Sequence, residues 1–223
     1  MSPPNKAELA AYSVVRGIAV WFSRVWWRLE VSGTEHLPTE GAFILAPIHR
    51  SNADSLVVAA LTGRRLRYMG KHTLWKYKRL GRVFTALGGF PVRRGAADRE
   101  ALRKCAEVLA AGEPLVVFPE GTRQTGRMVH DLQEGAAYLA SRAGVPIVPV
   151  GIGGSEDALV KGSKKIKRVR IRVVAGEPLV PPLIDGRVPR SAVARLSAEL
   201  KERLQILFDE AQALSDSPAR RPR

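Results

Sequence analysis

Residues 43–54 read Phe43-Ile44-Leu45-Ala46-Pro47-Ile48-His49-Arg50-Ser51-Asn52-Ala53-Asp54. The apolar run from Phe43 to Ile48 reads as a buried strand, and a helical pattern follows from Ala53 to Leu61. A histidine at the strand end and a carboxylate one turn into the next helix suit a base and its orienter. The carboxylate would keep one ring nitrogen protonated and leave the other free to accept a proton from a hydroxyl. A plain structural turn fits the same residues: Ser51 or Asn52 caps the helix, and Asp54 serves its positive end.

Outward from this stretch, strand-like and helix-like segments alternate. Strands are expected around Arg28–Val31, Leu66–Met69, Phe90–Val92, Leu115–Phe118, Ile147–Gly151 and Val169–Val174, in addition to Phe43–Ile48. Further helices are expected around Tyr77–Leu87, Asp98–Ala111, Gln133–Arg142 and Arg190–Leu214. The alternation argues for a single α/β domain with a mostly parallel sheet flanked by helices, spanning residues 31–214. Residues 1–30 would form a separate amphipathic helix, and residues 215–223 a disordered basic tail. In such sheets reactive groups gather beyond the carboxyl ends of the strands. His49, Arg93, Arg94 and Glu120 all follow expected strands, so one cleft could hold them.

With 223 residues and 45% hydrophobic content, the chain can build a substantial core without staples. One cysteine, Cys105, excludes an intramolecular disulfide framework, and four scattered histidines give no clustered zinc site. The net charge of +15 is the outlying number. Between Asp54 and Asp98 there is no acidic residue, while basic residues run from Arg64 to Arg94. A second basic cluster comprises Lys161, Lys164, Lys165, Lys167, Arg168, Arg170 and Arg172. Both imply an anionic partner, whether nucleic acid, acidic lipid or a phosphorylated substrate, or else solvated basic faces.

From about Ala7 to Leu29 the chain has helical periodicity. Val14, Val15, Ile18, Trp21, Phe22, Val25, Trp26 and Leu29 share one side, with Ser13, Arg16, Ser23 and Arg24 opposite; Val20 and Trp27 break the pattern. The uncharged run between Arg16 and Arg24 is too short to span a bilayer, and no signal-peptide pattern precedes it. A basic amphipathic helix so rich in tryptophan suits a membrane interface, with Arg16, Trp21, Phe22 and Trp26 in contact. A helix packed on the protein's own core is the alternative.

After Leu115–Phe118 comes Pro119-Glu120-Gly121-Thr122-Arg123. Proline ends the strand and glycine permits a tight turn that presents Glu120, Thr122 and Arg123 together. Arginine binds phosphate bidentately and glutamate accepts hydrogen bonds from hydroxyls, although Glu120 and Arg123 could also simply pair. A third turn, Gly88 to Arg94, adds guanidinium groups.

In this order the pieces resemble the glycerolipid acyltransferase family, in the manner of its 1-acylglycerol-3-phosphate acyltransferases. The resemblance runs from about Gly33 to Pro178. His49 to Asp54 matches the family's His-x-x-x-x-Asp block, Gly88 to Arg94 its second block, Phe118 to Arg123 its third, and Val145 to Val150 its fourth. Ile48 stands where related enzymes often have Asn, Arg93 where many have Asp, and Leu132-Gln133-Glu134 where a basic residue is common.

The resemblance implies acyl transfer from acyl-CoA or acyl-carrier protein to a hydroxyl of 1-acylglycerol 3-phosphate, giving phosphatidic acid in phospholipid biosynthesis. His49 and Asp54 would be catalytic. Arg93, Arg94, Glu120, Gly121, Thr122 and Arg123 would bind substrate, with Glu120 orienting the glycerol hydroxyl. Turn amides near Ser51 or Gly121 are candidate oxyanion donors. No metal or organic cofactor is required, since the thioester is already activated. Expected partners are the thioester donor, the acceptor lipid and an anionic membrane surface on the cytoplasmic face, with no nucleic acid. Alternatives are another acceptor (glycerol 3-phosphate, a lysophospholipid or a glycolipid) or a non-catalytic basic protein that binds nucleic acid or lipid.

Overall fold

A computed structural model describes residues 6–92, 99–159, 165–182 and 188–217. At its centre, β2 (Ile44–Pro47) is buried along its whole length. It pairs in parallel with β5 (Leu115–Val116) on one side and β6 (Ile147–Gly153) on the other. Beyond β5 lie β3 (Arg67–Lys71) and β4 (Gly89–Val92), also parallel. Beyond β6, β7 (Arg172–Ala175) runs antiparallel and is joined in parallel by β1 (Glu30–Ser32). The order is β1-β7-β6-β2-β5-β3-β4. Five strands therefore point one way and the two at one end of the sheet, β7 and β1, the other, so the mostly parallel α/β sheet expected from the alternation is present. Unbroken apolar runs occupy the middle because both faces of a parallel sheet are covered.

The helices are α1 (Lys6–Trp26), α2 (Asp54–Val57), α3 (Lys78–Ala86), α4 (Arg99–Ala110), α5 (Gly135–Ala143), α6 (Ser155–Ala158) and α7 (Arg190–Asp216). The pattern from Ala53 to Leu61 becomes α2 followed by a 3-10 turn over Val58–Ala60. α6 has no counterpart among the expected elements; four residues carry too little periodicity to read. Helix α7 buries Val193, Leu196, Leu200, Leu204, Phe208 and Ala211, a stripe at helical spacing, against the sheet. It lies so close to β6 that a Cβ on Gly151 would stand 2.1 Å from the carbonyl oxygen of Leu207, and one on Gly153 2.2 Å from that of Ala211. The two glycines, two apart in the strand, present one bare face to the helix backbone. Ser215 and Asp216, expected in a disordered tail, instead finish α7. Residues 218–223 lie outside the described residues.

Much of the apolar stripe of α1 points away from the domain, while of its polar side Arg16 and Ser23 turn inward and Ser13 and Arg24 stay exposed. Tyr12, Arg16, Ala19 and Ser23 face the domain. The Tyr12 hydroxyl donates to the carbonyl of Arg64 and accepts from the Leu66 amide, and Arg16 Nε donates to the Ala59 carbonyl at 2.9 Å. Outward stand Val14, Ile18, Trp21 and Val25, exposed by 62, 63, 65 and 50%. Arg16 and Phe22, both expected at the membrane, sit differently. The guanidinium of Arg16 is tied to the domain, and the Phe22 ring is half-buried against the core, stacked on Trp26 and edge-on to Trp27. Trp27 breaks the helical pattern because the helix stops at Trp26. Its ring is fully buried, with Nε1 donating to the Lys167 carbonyl.

Candidate active site

His49 leaves the sheet at the end of β2, and Asp54 opens α2. Asp54 is fully buried, and its Oδ2 accepts from His49 Nδ1 at 2.9 Å, from the Arg50 amide at 2.7 Å and from the Ser51 amide at 2.8 Å. A carboxylate holding two amides of the same turn fixes the loop and, through it, the imidazole. Asp54 thus orients the imidazole, whereas the capping alternative is not met: Ala53 stands at the N-cap of α2 with no side-chain cap, and the amides that Asp54 holds belong to residues 50 and 51, ahead of the helix. Against an acceptor-only carboxylate, Nδ1 carries the proton, so Nε2 is the basic nitrogen. The ring stacks on Phe118 with centroids 4.1 Å apart. Its side chain keeps 15% of its surface exposed.

Glu120 follows β5 and reaches the same loop, but not as expected. It is buried, and both carboxylate oxygens face protein donors. Oε2 accepts from the His49 amide at 3.0 Å and from Arg50 Nη1 at 2.7 Å, and Oε1 accepts from the His130 amide at 3.1 Å. Gln124 completes the clamp by donating its amide to the His49 carbonyl at 2.9 Å. The carboxylate therefore holds the backbone of His49 and offers nothing to a substrate hydroxyl, and it pairs with Arg50, not Arg123. Gly121, at φ +72, supplies the left-handed turn that swings Thr122 and Arg123 back. Its own amide donates to the Phe118 carbonyl, and the Ser51 amide is taken by Asp54, so of the turn amides expected near the oxyanion these two are committed within the protein.

Arg50 was passed over in the sequence. Its guanidinium is buried, bonded to Glu120, to the carbonyls of His49, Gly126 and Met128, and packed over the Phe208 ring of α7 at 4.8 Å. An arginine between a strand-end histidine and a helix reads as solvated. The available signal was a glutamate at the end of another strand of the same sheet, the one partner that lets such a charge be buried.

A cavity of about 730 Å³ opens on His49. Asn52, Thr122 and Arg123 line it, as do Leu56, Met69, Leu74, Trp75, Phe84 and Leu87. From α1 come Tyr12, Arg16 and Ala19. Burial pushes the Tyr68 hydroxyl on this wall well above the usual tyrosine range, so it stays protonated. The structure thus brings His49, Asp54, Thr122 and Arg123 to one place. Gly121 forms the adjoining turn and Glu120 the support beneath it. Arg93 and Arg94 directly follow β4 in sequence but lie outside the described residues. A basic nitrogen at the rim of a mostly apolar cavity can take a proton from a hydroxyl of an amphiphile whose chain occupies the remainder.

A family model described as Acyltransferase matches residues 28–153, the segment from β1 to the end of β6. The chain is 24% identical over 187 residues to the 1-acyl-sn-glycerol-3-phosphate acyltransferase of Bacillus subtilis (strain 168), covering 83% of this chain and 91% of that one. It is 26% identical over 186 residues to the bovine (Bos taurus) 1-acyl-sn-glycerol-3-phosphate acyltransferase alpha, covering 82% of this chain and 63% of that one. Its fold matches the crystal structure of the 1-acyl-sn-glycerophosphate (LPA) acyltransferase, PlsC, from Thermotoga maritima. That match has a TM-score of 0.79 at 24% identity and covers 99% of this chain and 86% of the other. With the matched segment supplying both His49 and Asp54 and the Glu120 clamp that holds them, the chain belongs to the acyltransferase family.

Proposed function

We propose that this protein moves a fatty acyl group from acyl-CoA or acyl-carrier protein to a hydroxyl of 1-acylglycerol 3-phosphate, giving phosphatidic acid. The observation that carries the reading is the buried Asp54 locking His49 at the mouth of a large apolar cavity. His49 Nε2 takes the proton of the acceptor hydroxyl as its oxygen attacks the thioester carbonyl. The tetrahedral intermediate collapses to the ester, and the departing thiolate takes the proton from the imidazolium. Asp54 stabilises that imidazolium and keeps the ring in its working tautomer. Because the thioester arrives activated, protein groups alone run the step. With the Ser51 and Gly121 amides committed, the side chains of Asn52, Thr122 and Arg123, which line the same cavity as His49, are the donors proposed for the oxyanion. Arg123, with Arg93 and Arg94 following β4, would grip the acceptor phosphate.

The outward apolar face of α1 supports a peripheral site of action on the cytoplasmic face of the membrane, the side that holds both thioester donors. Among the described residues no helix is long and apolar enough to cross a membrane. Since α1 also walls the cavity, a lipid acceptor would pass from bilayer to His49 along one helix.

A panel of acceptors with one labelled acyl-CoA tests the substrate. Lysophosphatidate should be acylated far faster than a monoacylglycerol of the same chain, which lacks the phosphate. Equal rates on the two, or preference for glycerol 3-phosphate, would contradict the assignment.

A further inference from the structure

Among the described residues of the second basic cluster, Lys167 and Arg168 stand outside the lining of the His49 cavity and beside the end of α1. Residues 165–168, Lys165-Ile166-Lys167-Arg168, are all exposed, and Ile166 leaves 47% of its surface to solvent. The segment has no helix or strand of its own, but it is not loosely held. Lys167 donates its amide to the Ala158 carbonyl at 2.9 Å and accepts, at its own carbonyl, from the indole of buried Trp27 at 3.1 Å. The Arg168 guanidinium lies 5.8 Å above the Trp26 ring at the end of α1. From Asp157 to Glu177 the sequence contains no acidic residue between them.

We propose that residues 165–168 form a second membrane-docking element, continuous with the outward face of α1, that binds the anionic headgroups of a lipid bilayer. The inference rests on the reading that α1 lies on the bilayer. Charge complementarity alone would also suit an acidic protein or nucleic acid. The apolar residues decide against these: Ile166 between two lysines, and Trp26 beneath Arg168, repeat the alternation of inserting and headgroup-binding side chains found at interfaces. The pinned backbone of Lys167 presents these side chains in advance, so little ordering is lost on docking. Because the anchor is Trp27, the same residue that ends α1, the two elements keep a fixed relation.

Vesicle sedimentation of the full chain tests this, using phosphatidylcholine alone and phosphatidylcholine mixed with phosphatidylglycerol. Each lysine near an anionic surface strengthens binding roughly fivefold at low salt. Lys165→Gln with Lys167→Gln should therefore weaken partitioning onto mixed vesicles by roughly 25-fold, with the difference shrinking as salt rises. Binding to phosphatidylcholine alone should not change. Ile166→Trp should raise binding to both vesicle types while its thermal midpoint stays at the wild-type value and it remains in the supernatant without vesicles. Ile18→Ser with Trp21→Ser reports separately on α1 and should lower both. If the lysine and Ile166 variants bind like wild type while the α1 variant loses binding, the docking role of 165–168 is overturned and that of α1 stands. If no variant changes binding, both fall. Loss in the lysine variant alone, with the α1 variant binding like wild type, also overturns the proposal, since the charge would then act without the apolar face it is said to extend.

Discussion

The imidazole of His49 is held on three sides: Asp54 at Nδ1, Phe118 across its face, and Glu120 with Gln124 on its backbone. The last pair assigns Glu120 a load in folding. Removing one partner of a buried ion pair leaves an uncompensated charge, costing about 3–5 kcal/mol. Glu120→Gln should therefore lower the thermal midpoint by roughly 6–20 °C with no substrate present. Replacing both partners, Arg50→Met with Glu120→Leu, should recover part of that loss. A Glu120→Gln protein that melts like wild type and shows only a raised Michaelis constant for the acceptor would return the carboxylate to substrate binding. Cys105 is the opposite kind of residue, inert by position. It is fully buried against Met69, and burial pushes its thiol up to about 12. Since burial disfavours the thiolate, the folded protein at pH 8 should react with a thiol reagent only slowly, and unfolding in denaturant should release one fast equivalent; fast labelling of the native state would contradict its placement. The residues legible in the sequence, His49 and Asp54, are those whose chemistry is local to one turn. Arg50 and the true role of Glu120 were not, because their pairing joins chain segments 70 residues apart.

Among the elements, α7 and β6 meet backbone to backbone at Gly151 and Gly153. A methyl group at either position has no room. Gly151→Ala should cost about 1–3 kcal/mol or more as the helix is forced off the sheet. A chemical-denaturation midpoint unchanged from wild type would show that α7 yields freely. The same displacement would loosen Phe208 beneath Arg50 and so reach the site indirectly. The central strands β2, β5 and β6 were readable because each is an apolar run bounded by a turn, and α7 because its stripe continues for many turns. The topology was not: nothing within Val169–Val174 signals that β7 runs antiparallel to β6, because strand direction is set by pairing between distant segments rather than by local pattern. α1 shows the sharper limit. Its apolar stripe was visible, but periodicity cannot say which face meets the protein. Here hydrogen bonds from Tyr12 and Arg16 decide which side of the helix meets the domain.

At the scale of the whole molecule, the carboxyl ends of β2 and β5 carry His49 and the Glu120 clamp, and α1 walls the cavity between them and the outward apolar face. On the proposed function, lipid, thioester and base would meet at this cavity, and the surplus positive charge would give the membrane encounter its salt dependence. Raising salt should weaken binding to anionic vesicles far more than turnover of a short-chain acceptor without vesicles; parallel losses would place the charge effect in the active site. The proton transfer at His49 remains the centre of the account, and its most direct test is the turnover of lysophosphatidate with acyl-CoA by His49→Ala, under saturating substrates and with a thermal midpoint matched to wild type. A general base contributes roughly 10²–10⁴-fold. A loss of that size in turnover, with vesicle binding intact, is the predicted result. Near-wild-type turnover by His49→Ala would contradict it.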